Sequence, residues 1–89
     1  MIRYQTSADA ACAIVQGGAV VLHMGSKRYY SLNESGALIW SLLEQSVPEE
    51  QIVAGLVARY EVDGNVAADA LANLVVELAG ENLVHPVAA

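Results

Sequence analysis

His23, His85 and Cys12 are the side chains in this sequence best able to ligate a metal or act as a nucleophile, and none has a partner at working spacing. Zinc sites draw on short patterns such as CxxC or HxxxH; here the histidines stand far apart and the cysteine is single. Cys12 therefore reads as a small buried residue of a strand. Gly17-Gly18 lacks the lysine and the following helix of a phosphate loop, so it reads as a turn. Glu49-Glu50 falls at the start of an expected helix, where carboxylates complement the dipole without taking part in chemistry. The sequence thus offers no catalytic residue, no metal set and no cofactor motif. The run Lys27-Arg28-Tyr29-Tyr30-Ser31-Leu32 mixes basic, aromatic, polar and apolar side chains along one short segment.

That run needs a sheet to hold it. Cys12 to Gln16, Ala19 to Met24 and Lys27 to Leu32 read as three strands, with Gly17-Gly18 and Gly25-Ser26 as primed turns that make a meander. Strands one and three are its edges. Alternation sets Tyr30 and Leu32 on one face of strand three and Lys27, Tyr29 and Ser31 on the other, either of which can be the core face. From Asn33 the period becomes helical, with Ala37, Leu38, Ile39, Trp40, Leu42 and Leu43 on the apolar side and Ser31 or Asn33 as N-cap. A second helix begins at Ser46-Val47-Pro48-Glu49 as a capping box and buries Ile52, Val53, Leu56, Val57 and Tyr60. A third follows Asp63-Gly64-Asn65, lines its core side with Val66, Ala70, Leu71, Leu74, Val75 and Leu78, and ends at a left-handed Asn82. The expected architecture is α+β: a three-stranded antiparallel sheet followed by three helices, βββααα, resembling a winged helix-turn-helix.

With 89 residues the chain has room for one domain, 1–89, with its ordered core at about 11–84 and disorder at Met1 to Ala8 and beyond Pro86. Ten carboxylates against four basic side chains give a net charge of -6, which repels nucleic acid. Gln16, Lys27, Arg28 and Glu44 interrupt the apolar stretches before any reaches the roughly 18 residues of a membrane span. The N-terminal MIRYQTSADA lacks the order of a signal peptide, so a cytoplasmic protein is expected.

The segment Lys27-Arg28-Tyr29-Tyr30-Ser31-Leu32-Asn33-Glu34-Ser35-Gly36-Ala37-Leu38-Ile39-Trp40 is similar to the strand-to-helix junction of PqqD-like RiPP recognition elements, with its aromatic pair, Leu-Asn, Gly-Ala and Ile-Trp. Pro48 to Val53 with Leu56 to Tyr60 resembles that family's second helix, and Asp69-Ala70 through Leu74, Leu78 and Asn82-Leu83-Val84 its third. The chain departs from the family at Asn82, where Gly is usual, and at Leu74, near which Phe is frequent; both replacements keep the physical role. The resemblance implies a non-catalytic domain that binds the leader of a ribosomally made precursor peptide in the groove between the third strand and third helix. It places the contacts on Lys27, Arg28, Tyr29, Tyr30, Ser31 and Leu32, and on Asp69, Ala72, Asn73 and Val76. Independently, strand three as a free edge is open to strand addition.

Within the family, the motif looks closer to the free-standing accessory proteins of lasso-peptide biosynthesis, which implies a leader peptidase and an ATP-dependent cyclase as partners. A pyrroloquinoline quinone role implies a radical SAM enzyme instead. A winged-helix DNA-binding regulator fits the same order of elements, but its recognition helix, Val66 to Gly80, holds Asp69 and Glu77 and no Lys or Arg. A subunit or dimerisation module is a third reading, and the expected state is a monomer or weak dimer.

Overall fold

The structure, a computed structural model, describes residues 3–87. β1 (Arg3–Thr6) precedes a meander of β2 (Ala10–Val15), β3 (Gly18–His23) and β4 (Arg28–Asn33). Between β2 and β3 only Gln16 and Gly17 turn the chain, and the positive φ falls on Gly17 alone, at 81°. A primed turn would need it at the first central residue, so the expected primed geometry is replaced by one with the left-handed residue second. The β3–β4 connection is longer than the expected pair Gly25-Ser26: Met24 to Lys27 bridge His23 and Arg28, with Lys27 left-handed and its N–H donating to the His23 carbonyl at 2.8 Å.

Register decides which face of the sheet is buried. Cys12, Val21 and Tyr30 lie in one cross-strand row and Ile14, Ala19 and Leu32 in the next, on the same face. Val21, Ala19 and Leu32 are buried there, and Tyr30 and Cys12 pack partly against them. Cys12 is therefore a half-buried strand residue. The row Ala11, Leu22 and Tyr29 faces outward, which settles the open question of strand three: Tyr30 and Leu32 point to the core. Gly18 is required where β3 meets β4, because a Cβ there would fall on the Leu32 carbonyl oxygen.

Asn33 ends β4 and caps α1 (Glu34–Glu44), its Oδ1 accepting the Gly36 N–H at 2.8 Å, so the cap is Asn33 and not Ser31. α1 supplies Ile39, Trp40 and Leu43 to the core. Ser46 does not form the expected capping box. It is the left-handed residue that closes α1, with Ser46 N–H donating to Leu43 and Val47 N–H to Leu42, the Schellman pattern. α2 (Glu49–Tyr60) then starts from an extended Pro48 without a side-chain cap. α3 (Gly64–Gly80) starts from Asp63, which accepts the Asn65 N–H at 2.7 Å, and ends in a second Schellman closure in which Asn82 has φ 59° and Leu83 N–H reaches Leu78. The buried stripe of α3 is Ala67, Leu71, Val75 and Leu78, with Leu74 beside it. Val66, expected in that stripe, is 57% exposed, and Ala70 is also exposed; each lies one residue, or about 100°, away from the covered side.

The strand order corrects the expected βββααα. β5 (Val84–Val87) follows the helices and pairs antiparallel with β1, from Arg3 opposite Val87 to Thr6 opposite Val84. Strands therefore stand on both sides of the helices, in two sheets of order β1-β5 and β2-β3-β4. The expected disorder of residues 1–8 and beyond Pro86 gives way to this pairing over Arg3–Thr6 and through Val87, and Ser7 N–H donates to the Leu83 carbonyl at 2.8 Å; Met1, Ile2, Ala88 and Ala89 lie outside the described residues. The cause is burial at the far end: Leu83 and Val84 are core residues, so β5 is anchored and offers β1 a template.

Candidate peptide-binding groove

β4 ends its sheet, so among the described residues its backbone pairs on one side only. Alternate N–H and C=O groups of an antiparallel edge point outward and are available to another strand. Facing that edge is α3, and between them lies a groove of about 420 Å³. Tyr30, Ser31, Leu32 and Asn33 form one wall, and Ala70, Asn73, Leu74 and Glu77 the other. Ser35, Gly36 and Ile39 from the first half of α1 complete it. The floor is apolar, since Leu32 and Ile39 are buried core residues, whereas the rims carry hydroxyl, amide and carboxylate groups.

Side chains tie the two walls at one end. The Tyr30 hydroxyl donates to the Glu77 carboxylate, and Arg28 donates to Glu81 at 3.0 Å. The i, i+4 spacing of the two glutamates on α3 and its continuation matches the i, i+2 spacing of their partners on β4, so both pairs form side by side. At the other end Asn33 is committed to its cap, with Ser35 also donating to it at 3.1 Å.

Of the residues expected to contact a peptide, Tyr30, Ser31, Leu32 and Asn73 line the groove. Arg28 stands at its tied end, and Lys27 precedes it in the turn. Tyr29 is 73% exposed on the outer face of the sheet. Asp69, Ala72 and Val76 are exposed on α3 beside the lining stripe rather than in it, with Val76 71% exposed. The lining stripe is Ala70, Asn73, Leu74 and Glu77, an i, i+3, i+4, i+7 set bordering the buried one. Glu77, Leu74 and Ala70 were not singled out as contacts from sequence. The signal that identifies them is their position one step around the helix from Leu71, Val75 and Leu78.

Two groups away from the groove have altered acidity. Burial, with the Glu44 carboxylate adding to it, raises the Cys12 thiol, and burial followed by the nearby Glu49 carboxylate raises the Tyr4 phenol. Neither change prepares a nucleophile. Among the described residues no three His, Cys, Asp or Glu side chains group as a metal site, and no helix is long and apolar enough to cross a membrane. The arrangement suits a chain that adds to β4 through its backbone and lays alternate side chains onto Leu32, Ile39 and Leu74.

The family described as coenzyme PQQ synthesis protein D (PqqD) matches residues 18–84. No curated protein matches the sequence. Two solved structures are similar over nearly the whole chain. TbiB1 in complex with the TbiA(beta) leader peptide is 30% identical with a TM-score of 0.86, covering 96% of this chain and 99% of that one. Lasso peptide synthetase B1 complexed with the leader peptide is 26% identical with a TM-score of 0.84, covering 93% and 98%.

Proposed function

The chain belongs to the PqqD family, and from that premise we propose that it is a RiPP recognition element that binds the leader of a ribosomal precursor peptide by strand addition to β4. The observation that carries this reading is the free edge of β4 facing α3 across a groove, in a chain similar end to end to two proteins solved with leader peptides. Both of those are B1 proteins, and one is named for lasso-peptide synthesis, which favours the lasso pathway over quinone biosynthesis. The precursor peptide is then the first partner. A leader peptidase and a cyclase are the enzymes to which it would be delivered, in the cytoplasm, with this chain acting as one non-catalytic domain, monomeric or weakly dimeric. Lys27 to Leu32 on one side and Asp69, Ala72, Asn73 and Val76 on the other are the proposed contacts, to which the groove adds Ala70, Leu74 and Glu77.

The meander beside α2 and α3 invites comparison with a winged helix-turn-helix. A DNA role finds no support in it, since α3 contributes carboxylates and no cation where phosphates would lie. The test is a titration with fluorescent leader peptides, the TbiA(beta) leader and any candidate leader from the chain's own gene neighbourhood, with a core peptide and a DNA duplex as controls. Saturable binding of the leader alone is expected; a folded protein that binds no leader overturns the reading. Alanine at Asn73, Val76 and Glu77 together should weaken that binding at least tenfold, and unchanged affinity would move the contacts elsewhere.

A further inference from the structure

β2 is the other edge of the meander, and among the described residues nothing pairs with its outer side. Natural sheet edges ordinarily carry a charge, a proline or a bulge that turns other strands away. The other strands with a free side have such a guard: Arg28 opens β4, Arg3 opens β1 and Pro86 lies in β5. β2 reads Ala10-Ala11-Cys12-Ala13-Ile14-Val15, without charge or proline. It pairs with β3 residue for residue, from Ala10 opposite His23 to Val15 opposite Gly18, so it has no bulge either. Ile14 leaves 78% of its surface exposed, although its row partners Ala19 and Leu32 are buried. From Ala10 to Ser26 the sequence holds no Asp, Glu, Lys or Arg, so the whole β2–β3 hairpin is free of them.

We propose that this edge is a self-association surface, at which a second copy of the chain pairs its β2 antiparallel with this one about a two-fold axis. Charge favours a second copy at this place. Two chains of net charge -6 repel over their acidic surfaces, and the uncharged hairpin is where they approach with least opposition. Strand geometry selects the register. In a hairpin with a two-residue turn the closing pair, here Val15 and Gly18, bond to each other, so Cys12 and Ile14 turn their N–H and C=O groups outward. With Ala13 on the axis, Cys12 of each copy falls opposite Ile14 of the other, and these outward groups satisfy one another reciprocally. The product is one continuous sheet in the order β4-β3-β2-β2-β3-β4. Both β4 edges stay open, so the proposal stands apart from the leader-docking reading. A single short edge buries less than the roughly 1,000 Å² expected of a stable interface, and the dimer is accordingly weak.

Sedimentation equilibrium across a roughly hundredfold range of concentration tests it. The wild-type mass should rise from monomer toward dimer, and more steeply at high salt, because screening relieves the repulsion between acidic copies. Ile14→Lys, at an exposed site, should keep its circular dichroism and remain monomeric, whereas Ile14→Val should associate as wild type does. In a Cys12→Ala background, Ala13→Cys should form an intermolecular disulfide under an added mild oxidant, because its copy lies directly across the axis. Ala11→Cys should not, because the register sets it opposite Val15 of the second copy. A wild type that stays monomeric throughout overturns the proposal. So does an Ile14→Lys protein that still dimerises, or equal crosslinking of Ala11→Cys and Ala13→Cys, since either takes the contact away from a two-fold pairing of β2. Leader affinity should be the same for wild type and Ile14→Lys at concentrations where both are monomeric, so a failure of leader docking leaves this result untouched.

Discussion

Two residues on β4, four positions apart and on the same face, differ in what their removal would cost. Arg28 meets Glu81 with 70% of its side chain in water, and exposed pairs of this kind contribute ~0–1 kcal/mol. Arg28→Ala should therefore shift urea unfolding by no more than about 0.5 kcal/mol. Leu32 is 6% exposed and supports both the core and the groove floor, so Leu32→Ala should cost ~2–5 kcal/mol in the same measurement. The sequence showed the alternation on this strand but not its phase, because Tyr29 and Tyr30 place an aromatic ring on each face. Only the cross-strand rows, which seat Tyr30 beside buried Val21, resolve it. The expected contacts on α3 and the residues that line the groove coincide only at Asn73 for a related reason: exposed Val76 and groove-lining Leu74 are both apolar, and composition alone does not tell a helix face turned to a cleft from one turned to solvent. Cys12 gives a third test at this scale. With its thiol pKa raised by burial and by Glu44, alkylation by iodoacetamide at pH 7.5 should run several-fold slower than for free glutathione, and a faster reaction would contradict the half-buried placement.

At the scale of elements, the ends of the helices carry more of the specification than their faces. Asn33, Asp63, Ser46 and Asn82 occupy cap or left-handed positions; Asn82 was legible as such and Asn33 as one of two cap candidates because their types are the ones those positions favour, while Asp63 was legible only as part of the turn before α3. Ser46 was assigned to the start of α2 when it closes α1: a Ser three residues before a Glu reads as a capping box, and nothing local in the sequence shows that the backbone there is left-handed. Glu61 was invisible for the opposite reason. It takes φ 53° at the end of α2, a conformation a β-carbon disfavours and its residue type does not advertise. Glu61→Gly should accordingly raise stability by about 0.5–1 kcal/mol, whereas Asn33→Ala should lower it by about 1 kcal/mol through loss of the Gly36 bond. Chemical denaturation of the two variants checks both, and a destabilised Glu61→Gly would mean that the Glu side chain makes a contribution larger than the relief of its backbone.

For the whole molecule, the part that sequence reading missed is the strap that joins its two ends. RYQT and VHPV are four-residue strands, one of them containing Pro86, and each is too short and too polar to announce itself. Their pairing is the most non-local contact in the fold, so it depends on α3 first fixing Leu83 and Val84 in the core. Tyr4 makes the strap titratable. Burial and the Glu49 carboxylate raise its phenol above the ordinary value, so the folded chain holds that proton more tightly than the unfolded one. The stability this confers is present below the unfolded pKa of about 10 and is lost as pH rises through the folded value. Cys12 acts with the same sign, starting from a lower unfolded pKa. In a Cys12→Ala background, removal of residues 1–6 should cost roughly 2–3 kcal/mol at pH 8, on the scale of uncovering one or two buried side chains. The loss should shrink as pH passes 10, because the full-length protein then surrenders the Tyr4 contribution that the shortened one never had. A truncated chain as stable as the full one at pH 8 would restore the first reading of the sequence, in which those residues lie outside the folded core.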